Sequence, residues 1–124
     1  MSTQKDYAAF VDSRFKEMET PEATLIHAAI GVAGEAGEII DAVKKHWVYN
    51  QPLNEENLYE EMGDIIFYLQ KICNIQGWTF KDLMISNTEK LLKRYPTGYS
   101  DEAARVRADK VAELAHDITD GTLL

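Results

Sequence analysis

A chain of 124 residues, 45% of them hydrophobic, is long enough to bury one ordinary core and too apolar to be disordered over most of its length. A net charge of −8 argues against a surface that holds DNA or RNA through phosphates, though not against a small phosphorylated ligand bridged by a divalent cation. Cys73 is the single cysteine, so no intrachain disulfide framework exists and a reducing, cytoplasmic setting is expected. The opening MSTQKDYAAF is unlike a signal peptide, and no apolar stretch reads as long enough to span a membrane.

Helical periodicity runs through the whole chain. Tyr7, Phe10, Val11, Arg14, Phe15 and Met18 mark a short amphipathic first helix with Thr3 as its N-cap. Thr20 caps a second helix, Pro21 suits its first position, Glu22 complements its dipole, and it runs to about His46. VYNQPL, with Pro52, is the loop; Asn54, Glu55 and Glu56 open a third helix that stops near Gly77. Thr79 and Asp82 resemble a capping box for a fourth helix bounded by Pro96. A polar, alanine-rich helix restarts at Ser100 and continues to about Asp117, before a frayed end. No segment alternates as a strand would. The expected fold is all-α: one domain over residues 1–124, about five helices, a core of four, and a peripheral last helix.

GEAGEIIDAVKK on the second helix and YEEMGDIIFY on the third share an unusual combination of interior glycines and closely spaced acids. Around the second helix, Glu35 and Asp41 fall about 60° to either side of Glu38, and His27, Gly31, Gly34 and Lys45 lie on the same stripe. On the third, Asp64 falls about 60° from Glu61, with Glu60 further round and Tyr68 close by. Solvated surface faces are the ordinary explanation of such charge runs. Against it, interior Gly31, Gly34, Gly37 and Gly63 each cost about 1 kcal/mol relative to alanine, a cost tolerated where a helix or ligand comes close. If the two acid faces converge, carboxylates about 4 Å apart repel by roughly 4 kcal/mol at an effective dielectric of 20. Mg²⁺ or Mn²⁺ removes that cost, whereas one cysteine and three scattered histidines make no zinc site.

Glu35-x-x-Glu38 followed by Glu61-x-x-Asp64, and then NTEKLLKRYPTGYS, resembles the signature of the MazG-like nucleoside triphosphate pyrophosphohydrolases, all-α enzymes. The likeness covers roughly residues 24–100 and is most similar to short, single-domain forms, some of them phage-encoded. It implies cleavage between the α- and β-phosphates, giving a monophosphate and pyrophosphate. By position, Glu35, Glu38, Glu61 and Asp64 are then the catalytic carboxylates that bind Mg²⁺, and Glu60 is a further ligand or orients water. Asn87, Lys90 and Arg94 share one face of the fourth helix, either an ordinary solvated face or, as the likeness implies, a phosphate clamp, with Arg94 alternatively anchoring the helix end through a carboxylate. The likeness also implies a homodimer or homotetramer and a nucleoside triphosphate substrate with dGTP among the candidates; the expected cytoplasm is that of a host cell if the chain is phage-encoded.

His27 lies about 16 Å along the helix from Glu38, too far for the same metal, so it either meets a base or sugar or is a packed, hydrogen-bonded residue. Trp47 and Tyr49 either stack a nucleobase or close the core; Trp78 reads as core or subunit interface. A di-iron carboxylate bundle would need two Glu-x-x-His pairs, and only Glu113 with His116 is present. A helical adaptor that binds Mg²⁺-nucleotide without turning it over is the alternative outside enzymology.

Overall fold

The computed structural model describes residues 3–111, and these form five helices and no strand. They are α1 (Gln4–Arg14), α2 (Pro21–Trp47), α3 (Glu55–Gln76), α4 (Phe80–Arg94) and α5 (Asp101–Val106). The fold is all-α. The chain divides into two compact units, Met1–Phe80 and Lys81–Leu124.

In the first unit, the caps read at Thr3 and Thr20 form, and Asn54 caps the helix it was read to open. Thr3 accepts from the Asp6 amide at 3.1 Å, Thr20 from Ala23 at 3.1 Å and Asn54 from Asn57 at 3.0 Å. Gly77 closes α3 in the left-handed region at φ 74°, where a side chain would be strained. Helix α1 ends at Arg14, earlier than the apolar spacing through Met18 suggested, because Phe15 turns extended and its ring drops inward. That ring meets His27 at 4.9 Å, Phe67 at 5.5 Å and Tyr68 at 5.8 Å. The Met18 amide then donates to Thr24 Oγ1 at 3.0 Å, bridging the turn into α2.

Helices α1 and α2 both pack on α3. Gly31 faces Tyr68 while Glu35 faces Glu61 and Asp64, so α2 and α3 run antiparallel. Between α1 and α3 the join is polar. Lys71 is buried, and its ammonium donates to Asp12 and Glu17 and lies over the Phe15 ring. Asn74 donates to the Ala8 carbonyl at 2.9 Å and to Asp12 at 2.8 Å, and accepts from the buried Gln70 at 2.8 Å. Burial works against the Lys71 charge, but hydrogen bonds to Glu17 and Asp12 outweigh it and hold the ammonium above its ordinary pKa.

Among the described residues the buried apolar ones are few: Val11, Phe15, Ala28, Ala42 and Cys73. Ile26, Ile30, Ile40, Val43 and Trp47 of α2 remain exposed at helical spacing. An 18-residue window of α2 reaches a mean hydropathy of 1.3, so by length and composition this helix is apolar enough to cross a membrane, contrary to the sequence expectation. The same composition arises in a helix that packs along α3 on one side and carries an apolar stripe on another.

In the second unit, the expected continuous helix from Ser100 is interrupted. Ser100 caps α5 by accepting from Ala103 at 3.0 Å, but Arg107 adopts a left-handed φ of 50° and donates its amide to the Ala103 carbonyl at 3.0 Å. Residues 108–111 then start a new helical turn on the Arg107 carbonyl. The rest of that expected helix, with Glu113 and His116, lies outside the described residues.

Candidate functional site

The antiparallel pairing of α2 and α3 brings carboxylates from two helices to one place. One oxygen from each of Glu35, Glu61 and Asp64 lies within 4.8 Å of the other two. Glu35 and Glu61 are half-buried and Asp64 is exposed. A hydrogen bond with Glu35, then partial desolvation, then the Glu35 charge raise the Glu61 carboxyl above its usual range. Without a cation between them, the closeness of Glu35 disfavours ionisation of Glu61. Three hard oxygen donors with no sulfur or imidazole among them fit Mg²⁺ or Mn²⁺ and not a soft metal.

Other members of the acidic stripe are placed differently. Glu38, one turn beyond Glu35, is exposed and lies outside the three-oxygen group. It lines a polar hollow with Lys45 and Asn57. Asp41 pairs with Lys45 at 2.9 Å and Lys44 at 3.7 Å, and the Lys45 hydrogen bond chiefly lowers its pKa. Glu60 is exposed and does not join the acid group.

The glycines separate into two kinds. A Cβ built on Gly31 would collide with the Tyr68 ring, so this glycine serves helix packing within the chain. A Cβ on Gly34, Gly37 or Gly63 meets nothing, so any close approach at those positions comes from outside the described chain.

His27 is packed, between the rings of Phe15 and Tyr68 at 4.9 and 6.3 Å. Its Nδ1 is buried yet has no hydrogen-bond partner. Trp47 is 80% exposed, so it does not close the core of this chain; it borders an open hollow with His46, Asn50, Gln51 and Pro52. Tyr49 is exposed beneath the Lys44 ammonium, and Trp78 is half-exposed.

On α4, Asn87 and Lys90 are exposed. Arg94 is engaged: its Nε and Nη2 donate to the two carboxylate oxygens of Asp109 at 2.8 and 3.0 Å. This fork pulls the Asp109 carboxyl down to about 2, despite opposing desolvation. The geometry is that of an anchor between the end of α4 and the turn after Arg107.

Gln51 and Asn57 were not singled out in the sequence as site residues, and Lys45 was noted only as a member of the acid stripe. No motif marks Gln51 or Asn57; amides beside Pro52 and in the first turn of α3 read equally well as loop and cap chemistry.

Fold and site together define a helical protein with a carboxylate centre suited to a hard divalent cation. The MazG nucleotide pyrophosphohydrolase domain matches residues 23–99, and the chain belongs to that family. The matched span contains the four acids and Asn87, Lys90 and Arg94. The family is metal-dependent and acts on nucleoside triphosphates. No curated protein and no solved structure matches the chain.

Proposed function

We propose that the chain hydrolyses nucleoside triphosphates between the α- and β-phosphates, with Mg²⁺, or Mn²⁺ in its place, held by Glu35, Glu38, Glu61 and Asp64. The observation that carries this reading is the convergence of Glu35, Glu61 and Asp64 oxygens from two packed helices inside the family-matched span. The chemistry the cation supplies there is neutralisation of phosphate charge and activation of the attacking water.

Packing fixes the acids in advance. Tyr68 seated on Gly31 sets the register that puts Glu35 opposite Glu61 and Asp64, so little reorganisation accompanies binding. Water attacks the α-phosphorus, the bond to the bridging oxygen breaks, pyrophosphate leaves, and a carboxylate of the set takes the water's proton. Lys90 and Asn87 are the phosphate ligands in this reading. Arg94 positions the end of α4, since its fork is already occupied by Asp109. A homodimer or a dimer of dimers is part of the proposal, supported by the exposed apolar stripe from Ile26 to Trp47. A deoxynucleotide such as dGTP stands among the substrates to rank.

Product analysis of the eight common NTPs and dNTPs with Mg²⁺, alongside Glu61→Gln, tests this. Monophosphate plus pyrophosphate, lost in the variant, is the expected result. Orthophosphate as the product would refute the reaction, and Mg²⁺-dependent nucleotide binding without turnover would favour a non-catalytic adaptor.

A further inference from the structure

Beyond the acid group, α2 and α3 enclose a polar hollow of about 350 Å³ where the loop joins them. Glu38, Asp41, Lys45, Gln51, Asn54 and Asn57 wall it. Several of these groups are already committed. Lys45 is paired with Asp41 at 2.9 Å, and Asn54 Oδ1 accepts from the Asn57 amide in the helix cap. Among the described residues, the side-chain amides of Gln51 and Asn57 make no hydrogen bond. With one cation set against two carboxylates, the hollow is no anion site. Free carboxamides, each both donor and acceptor, suit an uncharged ring with a polar edge.

Position selects the hollow as well. Glu38 belongs to its wall and lies one turn from Glu35 of the acid group, and Asp41 and Lys45 lie about 9 and 15 Å beyond Glu35 by helical rise. An extended nucleotide with its phosphates at the acids would run in this direction. In the other direction the seam is blocked, because the Tyr68 ring covers Gly31 between Glu35 and His27. The hollow beside His27 is walled by Met18, Ala23, Ile26 and Ile30 and includes none of the four acids; neither does the one beside Trp47.

We propose that the hollow at the α2–α3 loop receives the nucleobase, with Asn57 and Gln51 reading its polar edge and Lys45, held by Asp41, adding a donor. The assignment rests on the pyrophosphohydrolase reading and adds the residues that set base preference. A site built to hydrogen-bond a polar edge discriminates strongly, since the wrong base leaves its amides unpaired.

The test compares kcat/KM across the four bases for the wild type, Asn57→Leu, Asn57→Asp and Gln51→Ala, with folding checked by circular dichroism. Asn57→Leu is expected to lower kcat/KM for the preferred nucleotide by at least about 10-fold, mainly through KM, as loss of a base-binding amide should. Asn57→Asp, which keeps the size and replaces a donor with an acceptor, reorders the bases. Inhibition by pyrophosphate, which has no base, stays unchanged in both. Base ratios that remain within about twofold of wild type in all three variants would overturn the proposal. So would a change in ranking produced by His27→Ala or Trp47→Ala instead. If the wild type turns over no nucleotide, the reading beneath is refuted and nucleoside monophosphate binding judges the hollow. Binding lost in Asn57→Leu sustains it, and binding absent or equal in both overturns it.

Discussion

Tyr68 lays its ring on α2 where a side chain at Gly31 would stand, and that contact sets the register of the two acid-bearing helices. Gly31→Ala is therefore expected to destabilise the protein by about 1–3 kcal/mol through overpacking, although alanine is the better helix former. Gly34→Ala is the control. Its added methyl meets nothing in the chain, so urea unfolding should show stability unchanged or raised by up to about 1 kcal/mol.

The raised Glu61 pKa gives a readout of metal binding that needs no substrate. Because the Glu61 pKa is raised in the folded state, the folded protein holds more protons than the unfolded chain just above the ordinary glutamate range. In EDTA, stability should fall as pH rises through that window, and Glu61→Gln should remove this part of the slope. Mg²⁺ at about 100 times its Kd should raise wild-type stability by about 2.7 kcal/mol and leave the variant nearly unmoved in thermal melts.

Arg94 and Asp109 make a stability element with the opposite pH sign. The Asp109 pKa is depressed to about 2, so its contribution is complete above the ordinary aspartate pKa and is lost as pH falls toward about 2. The stability gap between wild type and Asp109→Asn should be constant above about pH 5 and close on acidification. Arg94→Lys should lose most of the same contribution, since an ammonium cannot reproduce the two-pronged contact.

Lys90→Ala should lower kcat/KM for nucleoside triphosphates by about 10–100-fold, the range expected for losing a charge-assisted phosphate contact. Thermal stability should hardly change, because Lys90 is exposed. A variant that melts earlier while keeping full activity would move Lys90 from substrate binding to structure.

Ile30 and Ile40 are 65% and 68% exposed on the apolar stripe of α2. The double variant Ile30→Asp/Ile40→Asp is expected to shift the protein to monomer in light scattering. A wild-type protein that is already monomeric at tens of micromolar would contradict the oligomer proposal.

The sequence disclosed local chemistry better than tertiary geometry. Caps at Thr3 and Thr20 and helix starts at Asn54 and Ser100 were readable because each depends on one side chain and an amide three residues away. The acid stripes were readable because helical spacing projects them. Two things were not. Phe15 leaves α1 early for contacts with three residues distant in sequence, and Arg107 breaks the last helix in a left-handed turn that its residue type does not announce. Buried Lys71 was hidden for the same reason, since Asp12 and Glu17 belong to another part of the chain. Spacing also made the glycines look alike, whereas Tyr68 distinguishes Gly31 from the rest.

The most direct test of the central claim is hydrolysis of a turned-over nucleotide in ¹⁸O-labelled water with Mg²⁺, followed by mass analysis of both products. Attack at the α-phosphorus predicts one labelled oxygen in the nucleoside monophosphate and none in the pyrophosphate. Label in pyrophosphate, or release of labelled orthophosphate, would contradict it.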